Sequence, residues 1–116
     1  MEMDNIVELS MLYDFYGALL KEHKRSIFED YILNDYSLSE IAEDRGMTRQ
    51  GVYDTIKRSS KELREYEKKL SLIDKFQKTK KMVNQIQKIA AEIAETGRME
   101  DISKVKELST KILDEL

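Results

Sequence analysis

An all-α fold is predicted by three observations. The chain has no proline and only four glycines among 116 residues, 37% of its residues are charged, and no stretch alternates with the period of two that marks a half-buried strand. Apolar residues recur instead at steps of three and four, the spacing of amphipathic helices. At this length a chain buries roughly two thirds of its unfolded surface. One domain over 1–116 is therefore expected, with a four-helix part at 1–70 and a C-terminal helical hairpin at 71–116.

The first helix is expected over 5–20, where Ile6, Leu9, Leu12, Tyr16 and Leu19 share one face and Tyr13 and Phe15 flank it. A second, over 22–34, is expected to bury Ile27 and Tyr31, with Phe28 and Ile32 beside them. Asn34-Asp35-Tyr36 reads as the turn that follows. His23 is the single histidine. With no partner of its own kind and no serine or acidic residue at a catalytic spacing, it reads as a surface residue.

Residues 37–59, SLSEIAEDRGMTRQGVYDTIKRS, read as two short helices joined by a tight turn. Ser37 and Glu40 have the spacing of a capping box. Leu38, Ile41 and Ala42 face one way, and the small Ala42 suits the crossing of two helices. Gly46 accepts the left-handed conformation that ends a helix. Thr48 is the next N-cap, with Met47 placed to staple onto Val52. The sum is a helix-turn-helix at 37–59. Thr55 stands where the usual motif has an aliphatic residue, and Ile56 is expected to take its packing role.

In such a motif the second helix lies in the major groove, its N-terminal residues at base edges. On that geometry Arg49, Gln50, Tyr53 and Asp54 face the groove. Arg49 suits guanine and Gln50 adenine, while Lys57, Arg58 and Lys61 fall near phosphates. The candidate nucleic-acid-binding residues are Thr48, Arg49, Gln50, Tyr53, Asp54, Lys57, Arg58, Lys61 and Arg64.

The second helix runs on past the motif. Val52, Ile56, Ser59, Leu63, Tyr66 and Leu70 continue a seven-residue repeat, and Lys57, Lys61, Arg64 and Lys68 form a basic stripe opposite. Ser71 and Asp74 resemble a fresh capping signal. The next helix reaches about Thr96, with a seam of Phe76, Val83, Ile86, Ala90 and Ile93 that Met82 and Ile89 widen. Gly97 stops it. A last helix over 100–116 turns Ile102, Val105, Leu108, Ile112 and Leu116 inward, making an antiparallel hairpin. An apolar face wider than one partner helix covers predicts a homodimer through the C-terminal helices.

Charge tempers a DNA-binding reading. The formal net charge is −3. Residues 1–36 carry three Lys or Arg against eight Asp or Glu, and residues 37–70 carry eight against seven. Nucleic-acid modules draw most of their non-specific affinity from a clear basic stripe. Cysteine is absent, which excludes disulfides and cysteine metal sites and fits a reducing compartment. The acidic start MEMDNIVELS is unlike a signal peptide, and no apolar run has the length of a membrane span. A soluble cytoplasmic protein is expected, with no membrane contact. No phosphate loop, activated nucleophile or metal-ligand cluster is present. Neither an enzyme nor a cofactor is expected.

Two family likenesses rest on these residues. Over 37–64, SLSEIAEDRG, MTRQGVYDTIKRS and KELR resemble region four of bacterial sigma factors, a helix-turn-helix of the winged-helix-like DNA-binding class. No promoter-melting region precedes the motif, so this chain is not expected to replace a full sigma factor. Over nearly the whole chain, LYDFYGALL at 12–20, KEHKR at 21–25, TRQGVYDTIKRS and LREYEKKL resemble the small bacterial YlxM family. That resemblance implies a helix-turn-helix protein associated with the signal recognition particle, an association drawn largely from gene position. It brings no catalytic activity and no defined set of functional residues. Its implied partners are duplex DNA or the signal recognition particle RNA, together with the particle's GTPase or its receptor. Two alternatives stay open: a protein interaction module that keeps the motif as scaffold, and a DNA-binding transcriptional regulator unrelated to secretion.

Overall fold

Six α-helices hold most of the residues that the computed structural model describes, 6–116: α1 (Ile6–Tyr16), α2 (Glu22–Ile32), α3 (Leu38–Arg45), α4 (Arg49–Leu70), α5 (Leu72–Thr96) and α6 (Ile102–Glu115). A 3-10 turn over Gly17–Leu19 follows α1, and no strand occurs among the described residues. Asn5, the expected start of the first helix, lies outside them. The chain divides into two compact units, Met1–Ile73 and Asp74–Leu116.

The first unit is built on α4. Its apolar residues Val52, Ile56 and Leu63 advance by four and seven, so they stay on one side of the helix. All three are buried, and α1, α2 and α3 each pack on α4. Leu9, Leu12, Tyr16 and Leu20 enter this core from the N-terminal segment, Ile27 and Phe28 from α2, and Ile41 and Ala42 from α3. Ser59 and Ser60 are buried on the same side. The hydroxyl of Ser60 donates to the Ile56 carbonyl at 2.8 Å, whereas that of Ser59 has no hydrogen-bond partner among the described residues. Thr55 is half-buried and donates to the Gly51 carbonyl, and Ile56 does fill the core in its place. The expected seam stops short: Tyr66 is half-buried and Leu70 is exposed.

The end of α1 departs from simple periodicity. Leu19, expected inward, is 54% exposed and Leu20 is buried instead. A 3-10 turn holds three residues where an α-turn holds 3.6. That winding carries residue 20 to the core side. Gly17 makes the turn possible, for a Cβ there would lie 2.5 Å from the Tyr13 ring. The ring cannot swing aside freely: it stacks on Phe28 and its hydroxyl donates to Glu29 Oε1 at 2.5 Å. Burial, then that carboxylate, pushes the Tyr13 phenol up to about 12. Ile6, also expected inward, remains exposed, and burial along α1 begins at Leu9.

Between α4 and α5, Ser71 adopts the left-handed conformation at φ 54°. The capping pair expected at Ser71 and Asp74 is replaced by side chains from the first unit. The Tyr16 hydroxyl donates to Glu67 Oε1 at 2.5 Å and accepts from the Leu72 N–H at 3.2 Å. Glu67 Oε1 also accepts from the Ile73 N–H at 3.0 Å. Two of the first-turn donors of α5 are thereby satisfied.

The second unit holds the rest of α5 and α6. Gly97, at φ 71°, ends α5 as expected, and its N–H returns to the Ile93 carbonyl at 2.8 Å. The shielded line of α5 is Thr79, Met82, Ile86, Ile89 and Ile93, all half-buried. Phe76, Val83 and Ala90, placed inward from sequence, are exposed. Steps of three and four admit two neighbouring heptad lines on one helix, and packing selects between them. In α6, Leu108 is buried and Val105 and Ile112 are half-buried, whereas Ile102 and Leu116 are exposed. Ile102 is the first residue of α6 and Leu116 lies past its end.

Two alanine substitutions have opposite expected signs in urea unfolding. Gly17→Ala forces the Tyr13 ring off Glu29 or distorts the turn, and lowers stability by about 1–3 kcal/mol. Ser59→Ala removes a buried hydroxyl that has no partner, and raises stability by about 1 kcal/mol. A stable G17A protein with wild-type midpoint contradicts the packing described for the 3-10 turn.

Candidate nucleic-acid interface

Local chemistry builds the two helices of the motif where the sequence places them. The Ser37 hydroxyl accepts from the Glu40 N–H at 3.1 Å, and Glu40 Oε1 accepts from the Ser37 N–H at 3.0 Å. These bonds to Ser37, the backbone donor first, hold the Glu40 carboxyl below the usual carboxylate range. Gly46 ends α3 at φ 64°. Thr48 caps α4, its Oγ1 accepting from the Gly51 N–H at 2.9 Å. Thr48 therefore serves the helix start, and Met47 packs against the core.

Arg45 fixes the motif to the body of the unit, a role the sequence reading missed. Its Nη2 donates to Asp30 Oδ2 at 2.7 Å and to the Ser26 hydroxyl at 2.6 Å, and its Nε reaches the same Asp30 oxygen at 3.3 Å. Burial pushes the Asp30 carboxyl up, but the donors from Arg45 and Asn34 outweigh it and hold the group below its ordinary range. The signal was in the spacing: Arg45 lies four residues after Ile41, so it leans toward the buried side of α3, where a charge needs a partner.

The remaining predicted binding residues divide into four groups. Arg49, Lys57, Arg58 and Lys61 are exposed, and no acidic side chain pairs with them among the described residues. Gln50 is exposed, but its Nε2 donates to Asp54 Oδ1 at 3.0 Å. The bidentate grip on adenine expected of Gln50 would need that same amide. Tyr53 and Asp54 are half-buried at the side of the helix. Arg64 is tied back to the N-terminal helix, its Nε donating to Glu8 Oε1 at 3.1 Å. It joins α4 to α1 while remaining beside the other cations.

One open concavity runs along this side of α4, lined by Asp54, Lys57, Arg58, Lys61, Arg64 and Glu65. Four cations face two carboxylates there, which leaves the surface modestly positive. The outer side of α3 has the opposite sign. Tyr36, Glu40, Glu43 and Asp44 line a second concavity with three carboxylates and no cation. Among the described residues no cluster of three or more acidic, histidine or cysteine side chains is able to hold a metal, and no helix is long and apolar enough to cross a membrane.

Residues 3–111 match the family described as "Putative helix-turn-helix protein, YlxM / p13 like". A UPF0122 protein of Thermoanaerobacter sp. (strain X514) is 43% identical over 113 residues, 97% of each chain. The UPF0122 protein YlxM of Bacillus subtilis (strain 168) is 42% identical over 91 residues, covering 78% of this chain and 83% of that one. A counterpart in Geobacillus sp. (strain WCH70) is 51% identical over 84 residues, 72% of this chain and 76% of its own. The family description names a helix-turn-helix and no enzymatic activity.

Arg45→Ala tests how the motif is held. The substitution leaves Asp30 without its guanidinium and is expected to cost about 1–3 kcal/mol at neutral pH in urea unfolding. The folded carboxyl lies below its ordinary 3.8, so its stabilisation is present above that pH and is lost as pH falls through the folded value. The difference between wild type and R45A should therefore shrink below about pH 4. A difference that stays constant into acid would show that Asp30 is not the group involved.

Proposed function

We propose that this chain, which belongs to the YlxM / p13-like helix-turn-helix family, binds nucleic acid along the outward side of α4. The observation that carries this reading is the contrast between two sets of cations. Lys24, Arg25, Arg45 and Arg64 are paired with Glu62, Glu29, Asp30 and Glu8. Arg49, Lys57, Arg58 and Lys61 have no such partner among the described residues, and Lys57, Arg58 and Lys61 line one side of a single helix. An external polyanion suits that row, since contact with phosphates releases condensed counterions.

The acidic outer side of α3 constrains the approach. A duplex that took the N-terminus of α4 end-on into its major groove would bring phosphates toward Glu40, Glu43 and Asp44, at a Coulombic cost. Lateral contact through Lys57, Arg58 and Lys61 avoids it. Such contact positions a ligand through its backbone and reads little sequence. An adaptor or regulatory role fits that chemistry. Following the family resemblance, the ligands are the signal recognition particle RNA or duplex DNA, the setting is the cytoplasm, and the particle's GTPase or its receptor is the protein partner. The carboxylates on α3 favour a second reading, in which the motif is a scaffold presenting an acidic surface to a basic protein. We also propose a homodimer through the C-terminal helices, where effective concentration offsets the near-neutral charge of each motif.

Titration of the full chain against the particle RNA and duplex DNA at several salt concentrations tests this. Lys57→Ala and Lys61→Ala are each expected to weaken binding to all sequences alike and to lower the log–log salt slope by about 1. Asp54→Asn, which removes a carboxylate from the same surface, should tighten binding. No binding at low salt, or binding that survives loss of Arg49, Lys57, Arg58 and Lys61 together, would rule out the α4 surface.

A further inference from the structure

Of the paired cations named above, Arg64 is the one that also lines the concavity along α4. It lies seven residues after Lys57, two helical turns or about 10 Å along the axis, with Lys61 between them on the same side. Its ion pair differs from that of Arg45. The Arg45 and Asp30 side chains are only 26% and 14% exposed, and a second bond to Ser26 holds that guanidinium. Those of Arg64 and Glu8 are 35% and 52% exposed, so water screens their contact and little is lost when it opens. We infer that Glu8 is a resident competitor for the α4 surface: its carboxylate holds Arg64 in the unbound chain and yields it to a backbone phosphate of the nucleic acid. This rests on the reading of α4 given above, and adds to it a fourth phosphate contact and the group that regulates it.

Carboxylate and phosphate draw on the same donors. A guanidinium presents its N–H groups in a planar fork that fits either oxyanion, and Arg64 gives its Nε to Glu8 Oε1 at 3.1 Å from the far side of 56 residues. The incoming group decides whether the two exchange. A phosphate whose neighbours in the same backbone already sit on Lys57, Arg58 and Lys61 is delivered to Arg64 at high effective concentration. A lone anion has no such advantage over a carboxylate already in place. Glu8 belongs to the acidic stretch 1–36, with three Lys or Arg against eight Asp or Glu, so until a ligand arrives it masks one cation of the surface. A pair that served only to join α1 to α4 would stay closed in the complex. The two cases differ in how many phosphates are neutralised, and hence in the salt dependence of binding.

Titration of the full chain with a mixed-sequence duplex DNA and with a hairpin RNA, at several salt concentrations, separates them. Arg64→Ala should lower the log–log salt slope by about 1, and Arg64→Lys, which keeps the charge, should keep the slope. Glu8→Gln should tighten binding by up to about fivefold, the worth of an exposed pair, with the slope unchanged. Made in the Arg64→Ala chain, the same Glu8→Gln should lose most of that gain. An unchanged slope in R64A means that the pair stays closed on the ligand, and overturns the exchange. A slope that falls equally in R64A and R64K reports a disturbed α1–α4 contact and overturns the phosphate contact. A gain from E8Q of equal size with and without Arg64 assigns Glu8 to general repulsion of phosphates, and no gain at all removes it as a competitor; either overturns the inference. In each of these cases binding that still depends on Lys57 and Lys61 leaves the α4 surface standing, whereas no binding by the wild-type chain at low salt overturns that surface and this inference together.

Discussion

The packing of α1, α2 and α3 on one side of α4 is the constraint on which the first unit depends. A single helix has to close the core with Val52, Ile56 and Leu63 and present its charged residues on the opposite side. Those demands are compatible because residues three and four apart stay on one side, so apolar and charged positions never compete for the same direction. Ser59 and Ser60 show what close packing required of α4. They are small enough for neighbouring helices to approach, and the unsatisfied Ser59 hydroxyl is a cost accepted within that contact.

Apolar contact is non-directional, and the rotation of each helix is set by polar ties at the rim of the core. Arg45 reaches Asp30 and Ser26 and thereby fixes α3 against α2. Tyr13 and Glu29 join α1 to α2, and Lys24 and Glu62 join α2 to α4. Tyr16 and Glu67 do more, since they hold α1 to α4 and also cap the start of α5. The first turn of α5 is thus capped in part by a tyrosine more than fifty residues earlier in the chain. Hydrogen bonds of this kind matter chiefly through the penalty for leaving a buried donor unmade.

Electrostatically the motif is divided. Helices α3 and α4 adjoin through a three-residue turn, yet the outer side of one is acidic and that of the other is cationic. A near-neutral net charge therefore conceals two surfaces of opposite sign. In water two unit charges at 4 Å interact by only about 1 kcal/mol, so neither surface carries much affinity alone. Their arrangement governs the direction from which a polyanion approaches more than it governs how tightly it is held.

Much of what depends on neighbours close in the chain was decided by the sequence alone. The capping box at Ser37 and Glu40, the Gly46 and Gly97 stops, the Thr48 cap and the core positions of α4 all follow from interactions within one helical turn, which one sequence window contains. Family membership was equally legible, because order and spacing persist along the chain. Tertiary structure decided the rest. Periodicity allowed two seams on α5, and only packing chose Met82, Ile86, Ile89 and Ile93 over Phe76, Val83 and Ala90. It likewise turned Leu20 inward in place of Leu19 and drew Arg64 to Glu8 across 56 residues. The physical reason for the α5 seam and for Arg64 is that a side chain's partner is set by which helices meet, and sequence spacing fixes directions around one helix without specifying what lies opposite; at Leu20 it is the tighter 3-10 winding that the packed Tyr13 ring accompanies.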